Sequence, residues 1–176
     1  RSGRPQKALE LLKIALDKSQ EQNEPLEVVF SLNSLGLAYE DLNQETDALT
    51  CWHEAVDLSR QQDLGREEGN LQISIGNFYL KIGNFESAKH YYEQSLEVAT
   101  KLKNIDMEEA AMLSLALAHK RLGSFSEIEK EFIRIAERSS ELKHQENLVK
   151  FLAIAGAVNL SEGEIDEAVK MFEKAF

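Results

Sequence analysis

The sequence predicts an all-α fold, a solenoid of antiparallel helix pairs, on three observations. One pattern recurs every forty residues: Gly36, Gly76, Ala116 and Gly156 share this spacing, as do Leu12, Trp52, Tyr92, Phe132 and Phe172. Within each period the apolar residues fall at i, i+3, i+4 and i+7, the positions that share one face of an α-helix. No β-branched run alternates with period two, and only Pro5 and Pro25 could interrupt helices along 176 residues. Self-similarity at such a period marks an array whose units bury their apolar faces only against their neighbours. Such an array offers a shaped surface for binding rather than a catalytic pocket.

The elements follow in order. Ala8, Leu12 and Ala15 form the face of a second helix whose first helix lies upstream. Pro25 suits the opening turn of the next helix, whose face is Leu32, Leu35, Gly36 and Tyr39. Asn43 then stands where later repeats have Gly83, Gly123 and Gly163. Glycine, and next best asparagine, accepts the left-handed conformation that closes a helix. Ala48, Trp52 and Ala55 face the partner helix. The same grammar pairs Ile75, Gly76 and Tyr79 with Ala88, Tyr92 and Ser95. It then pairs Met112, Leu115, Ala116 and His119 with Ile128, Phe132 and Ile135, and Leu152, Ala155, Gly156 and Asn159 with Ala168, Phe172 and Ala175. Each helix should run about 17 residues, or about 25 Å.

Capping-box spacing in Ser124 with Glu127, and in Asp106 with Glu109, predicts two helix starts. Linkers fall near residues 20–24, 63–66, 103–106 and 143–146, too short to separate domains. One array is therefore expected: residues 1–22 as the second helix of a partial repeat, 23–62, 63–102 and 103–142 as full repeats, and 143–176 as a last, incomplete one. Further repeats or domains of the same chain are expected at both ends.

Two helices approach to 8–10 Å only where the contact point is small. Gly36, Gly76, Ala116 and Gly156 provide this on the first helices, and Ala48, Ala88 and Ala168 on the second. Trp52, Tyr92, Phe132 and Phe172 fill the space between repeats. Ile128 replaces the alanine in the third full repeat, where looser or tilted packing is expected.

Composition narrows the partners. The chain is 43% hydrophobic and carries a net charge of −11. That balance disfavours a nucleic-acid backbone or an anionic membrane as the main partner. It suits a basic partner, and it also suits long helices with solvated Glu and Lys faces. The apolar stretch from Ala110 to Ala118 is too short to span a bilayer. No signal peptide is visible, and the single Cys51 rules out an internal disulfide, so a reducing cytoplasmic or nuclear setting is expected.

The motif Leu–x–x–Leu–Gly–x–x–Tyr from Leu32 to Tyr39, then Asn43 or glycine, then Ala48–x–x–x–Trp52–x–x–Ala55, resembles the tetratricopeptide-repeat superfamily over nearly the whole chain. The forty-residue period and the missing proline after the second helix look like the long-repeat subgroup of Pins-like cell-polarity adaptors. The period is also similar to that of kinesin light chains and Rap-type regulators. The resemblance implies a right-handed superhelix whose first helices line a concave groove for a peptide or partner helix.

Family geometry places groove positions on each first helix. They include Phe30, Asn33 and Leu37; Asn70, Ile73, Asn77 and Lys81; Leu113, Leu117, Lys120 and Arg121; and Lys150. In the resembling adaptors, groove asparagines hold an extended partner, so Asn33, Asn70 and Asn77 are candidates. The alternative is that these amides are solvated or cap local structure. Phe30, Leu37, Ile73, Leu80, Leu113, Leu117 and Ile154 make the groove apolar and fit an apolar segment, unless the helices turn them into the core. Glu40 and Asp41 lie at one end, while Lys81, Lys120, Arg121 and Lys150 lie further on. This points to acidic residues on the partner, although cations near helix C-termini are favoured whatever binds. The Lys/Asn/Arg clamp of chaperone-tail receptors is absent.

No phosphate-binding glycine loop, metal-spaced Cys/His set or nucleophile motif appears, so no cofactor, metal or enzymatic activity is expected. Cys51 and His53 point to different faces of one helix. His119 stands at the position of Tyr39 and Tyr79 and reads as a core histidine, while His53, His90 and His144 read as exposed. Tyr91, Tyr92 and Phe85 read as packing residues. The function expected is an adaptor binding a peptide or helical segment of a partner. The alternatives are a structural spacer within a large assembly and a sensor arm of a regulatory multidomain protein.

Overall fold

The structure, a computed structural model, describes residues 3–141 and 145–162. Eight α-helices follow one another among the described residues: α1 (Gly3–Glu21), α2 (Pro25–Asp41), α3 (Glu45–Gln61), α4 (Gly65–Lys81), α5 (Phe85–Leu102), α6 (Ile105–Leu122), α7 (Glu129–Glu141) and α8 (Gln145–Glu162). Each packs on the next in sequence order, and α2, α4, α6 and α8 also touch in succession. This is the architecture of a solenoid of α-hairpins. Ala168, Phe172, Ala175 and Gly163 lie outside the described residues.

The turns explain why the helices alternate so regularly. Asn23, Asn43, Asp63, Gly83, Lys103 and Gly123 all have positive φ, between 53° and 81°, one at every twentieth residue. In each turn the next N–H reaches back five residues to a helix carbonyl, as in Asn84 N–H to Tyr79 O at 2.9 Å and Asn104 N–H to Ala99 O at 3.0 Å. This bond satisfies a carbonyl that the helix end would leave orphaned. The sequence pattern singled out Asn43, Gly83 and Gly123. Asn23, Asp63 and Lys103 close the junctions between repeats by the same device, and lysine is a costly residue for it.

Helix starts differ from the expected caps. The N-cap of α6 is Asn104, whose side chain accepts from Met107 N–H at 3.1 Å, so Asp106 lies inside the first turn rather than capping with Glu109. Ser124 does not cap either. Its Oγ lies 2.9 Å from His119 Nδ1, and a single 3₁₀ turn (Phe125–Glu127) precedes α7. This is the form taken by the disturbance expected at Ile128. The bulky residue sits in the joint ahead of a shorter helix, half-buried against the core. Pro25 does open α2, as expected. Asn84, accepting from Ser87 N–H, caps α5.

The core runs between the paired helices. A Cβ added to Gly36 would lie 2.5 Å from Trp52 Nε1, and one added to Gly76 would lie 2.5 Å from Tyr92 Cε1. Each glycine is thus the seat of an aromatic ring from the second helix. Ala48, Trp52, Ala55, Ala88 and Tyr92 are fully buried. Rings carry the packing onward: Trp52 meets Phe78 at 5.7 Å, and Phe132 meets both Phe125 at 5.1 Å and Phe151 at 5.0 Å. Such tilted and edge-on pairs are favoured by the ring quadrupole. Gly69 gives a further close approach, to the Met107 side chain of α6. His119 is buried, its Nδ1 3.0 Å from the Ser124 carbonyl. In α1, by contrast, Leu9 and Ser19 are buried toward α2, while Ala8 and Ala15 are exposed.

Two predictions follow from this geometry. Gly76→Ala forces the Tyr92 ring to move and should lower stability by ~1–3 kcal/mol. Urea unfolding of Gly76→Ala/Tyr92→Leu should then show less than the sum of the two single losses. Lys103→Gly relieves a left-handed side chain and should raise stability by up to ~1 kcal/mol, read from the same titration.

Candidate functional site

The first helices present one continuous face. On α2, Phe30, Asn33 and Leu37 share a side, and Phe30 and Leu37 remain 47% and 48% exposed. On α4, Asn70 and Asn77 are exposed and Ile73 is half-buried; on α6, Leu113 and Leu117 are half-buried. Phe30, Asn33 and Asn70 meet at a shallow cleft between α2 and α4, with Val29 and Leu71 in its floor and Glu67 at its edge. Ile73, Leu80, Leu113 and Ile154 instead pack against the core. The apolar part of the face left to solvent is therefore concentrated on α2.

The asparagines have internal duties. Trp52 Nε1–H donates to Asn33 Oδ1 at 3.0 Å, and Tyr92 O–H donates to Asn77 Oδ1 at 2.7 Å. Asn33 stands three residues before Gly36 and Asn77 one residue after Gly76, so each flanks the glycine on which its aromatic ring rests. Neither alternative weighed from the sequence, solvated amide or cap, describes this. Each amide oxygen anchors a core ring, which leaves the NH₂ group for other partners. Asn70 makes no such bond.

Charges are partly neutralised along the face. Lys81 Nζ reaches Glu40 at 2.8 Å, which joins α4 to α2, and Lys150 pairs with Glu146 on its own helix at 2.7 Å. The Glu40 carboxylate beside it raises the Lys81 ammonium above its ordinary range. Lys120 and Arg121, at the end of α6, have no carboxylate partner among the described residues.

Sequence reasoning missed a buried polar clamp further along. Glu108 and Glu109 on α6 are both buried. Glu108 receives Arg138 at 2.7 Å and Arg134 at 3.4 Å from α7, while Asn147 of α8 donates to Glu109 at 2.6 Å. The signal was available: one or two periods earlier these positions hold Glu68 and Gly69, and Val28 and Val29. Carboxylates fixed by bonds to arginine and an amide tie α6 to α7 and α8. Among the described residues no three His, Cys, Asp or Glu side chains gather for a metal, and no helix is long and apolar enough to cross a membrane.

The Tyr92–Asn77 bond makes a pH prediction. Burial pushes the Tyr92 hydroxyl far above its ordinary value. The unfolded chain therefore releases that proton first, so the stability it confers is complete below about pH 10 and is lost as the pH rises beyond that. Urea midpoints should fall more steeply above pH 10 in the wild type than in Tyr92→Phe. Tyr91, also raised by burial, is common to both proteins.

Comparison with known proteins agrees with the fold. The family model for the tetratricopeptide repeat matches residues 27–101. Tetratricopeptide repeat protein 29 of Trypanosoma brucei brucei is 23% identical over 143 residues, covering 81% of this chain and 30% of that protein. The chain spans less than a third of the length of the relatives it matches. BtubC (BKLC) from P. vanneervenii superposes with a TM-score of 0.84 at 16% identity, over 99% of this chain and 73% of its own. A Rap protein in complex with competence and sporulation factor superposes with a TM-score of 0.74 at 21% identity, over 95% of this chain and 47% of its own. Residues 27–101 match the tetratricopeptide-repeat model, and the chain has the fold of a tetratricopeptide-repeat solenoid.

Proposed function

We propose that the face formed by α2, α4, α6 and α8 is the concave groove of an adaptor, which takes a peptide or helical segment of a partner protein. The observation that carries this reading is the pair Phe30 and Leu37, large apolar side chains left about half-exposed on one side of α2 beside the cleft that Asn33 shares with Asn70. A helix in a groove buries residues spaced in this way. The NH₂ groups of Asn33 and Asn77, and the free amide of Asn70, donate to partner carbonyls. Ile73, Leu113 and Leu117 supply the half-buried floor.

Lys120 and Arg121 fit acidic residues on the partner, whereas Lys81 and Lys150 are already engaged. A Rap protein of the same fold, solved with competence and sporulation factor, supports a binding role for such a surface. The forty-residue period is one that Pins-like adaptors share, and it supports an adaptor role. An intracellular reducing setting suits the half-buried free thiol of Cys51, which burial pushes up.

Titration of partner fragments tests this reading. Phe30→Ala/Leu37→Ala should weaken binding by about thirtyfold or more, the scale of a buried apolar hot spot, with unfolding curves unchanged. Unaltered affinity, with crosslinks mapping to α3 and α5, would move the site off this face.

A further inference from the structure

The exposed apolar side chains of α2 form a line. Leu26, Phe30 and Leu37 are 38%, 47% and 48% exposed, and together with Asn33 they fall four, three and four residues apart. This is the spacing of a coiled-coil seam, two positions per heptad, and it is narrower than the stripe by which a helix joins a core. The seam is not an effect of the array's edge. Its counterparts on α4 are Arg66, Asn70, Ile73 and Asn77. α4 has a first helix on either side, yet Arg66, Asn70 and Asn77 stay exposed. Another hairpin stacked on α2 would likewise leave the seam in water. At the exposed steps of the same row α6 has Asp106 and Ala110, so the exposed apolar run goes lengthwise along α2 and not across the first helices.

The surroundings of the seam carry one sign. From Ser19 to Ser59 the chain holds nine Asp and Glu and no Lys or Arg, so most of its net charge of −11 is concentrated around α2. Glu27 and Asp41 lie beside the seam on α2 itself. Glu67 faces it from α4, across the shallow cleft that Phe30 and Asn33 line. None of these three carboxylates has an ion pair among the described residues. The cations of the adjoining helices are placed elsewhere: Lys81 bonds Glu40 at 2.8 Å, Lys13 lies over the Tyr39 ring, and Arg66 lines the cleft on the α6 side of α4, with Asp106.

We propose that the seam docks an amphipathic helix of a partner protein, lying lengthwise along α2, with apolar residues at the same spacing and lysine or arginine on its flanks. This rests on the first-helix face being the binding groove, and it narrows that reading to a helix that is basic where it meets α2. The partner's apolar side chains pack beside Leu26, Phe30 and Leu37, and its flanking cations reach Glu27, Asp41 and Glu67. Asn33 sets the register. Its Oδ1 is held by Trp52, so its NH₂ selects a hydrogen-bond acceptor at the matching step of the partner. A second copy of this chain does not fit, because α2 against α2 would set two acidic, cation-free helices face to face. Lys120 and Arg121 stand on α6, outside this segment.

Fluorescence anisotropy with three labelled peptides tests the assignment. One is a helix former with leucines at the seam spacing and lysines on its flanks. The second has glutamates on the flanks, and the third keeps the lysines but has serines in place of the leucines. The first should bind saturably and the other two about tenfold more weakly or worse. A proline at the centre of the first should abolish its binding. Glu27→Lys/Glu67→Lys should weaken the lysine peptide about tenfold and strengthen the glutamate peptide, with unfolding curves unchanged. No saturable binding of the lysine peptide, equal affinity for the glutamate or serine peptide, or indifference to the proline would each overturn the proposal. Phe30→Ala/Leu37→Ala separates this failure from that of the groove. Partner fragments that still depend on these two residues would keep the groove while the helix assignment falls. A lysine peptide whose binding ignores the double substitution would place the contact off α2 and remove both.

Discussion

The fold rests on the seating of an aromatic ring on a glycine in the pairs α2–α3 and α4–α5. Where Gly36 meets Trp52 and Gly76 meets Tyr92, even a methyl group would be too large. The close approach lets both helices share one layer of core. It also brings each ring's heteroatom within reach of an asparagine on the first helix. A purely dispersive contact would let one helix slide or rotate against the other. A hydrogen bond at the ring's far end fixes the rotation, and with it the side chains that the first helix turns to solvent. Packing inside the hairpin therefore sets the outer surface.

The forty-residue spacing made the helices and their order legible, because periodic burial imposes periodic residue choice, but it put the rings between repeats, whereas Trp52 and Tyr92 rest on the glycines of their own helix pairs. The internal duties of Asn33 and Asn77 were not legible, since a side chain's partner depends on a second helix whose register no local pattern reports. The αL conformation of Lys103 was hidden for a different reason: the chain keeps the turn by bearing the strain rather than by choosing a permissive residue. Ser124 and Glu127 have capping-box spacing, yet His119 competes for the serine and the following turn winds as 3₁₀. Spacing alone does not register such competition. Glu108, Glu109 and Gln72 could have been flagged as polar residues at apolar register positions, although only coordinates distinguish the two satisfied carboxylates from the unsatisfied amide.

The surfaces of the first and second helices differ in kind. The first-helix face is broad, with its exposed apolar area on α2 and its unpaired cations at the end of α6. The cleft between the second helices α3 and α5 is small and polar. A broad face suits a partner segment that contributes area.

The αL turns carry a consequence for how such a chain grows. Since the junction inside a repeat and the junction between repeats are the same at the level of backbone, the main chain counts in twenties while the side chains count in forties. Inserting one helix and one turn would give an acceptable backbone, but it would exchange inner and outer roles for everything downstream. Lengthening or shortening by whole hairpins alone keeps each helix on its own side. Gene duplication in this scaffold is thereby confined to even steps, although every turn offers an equally good place to cut.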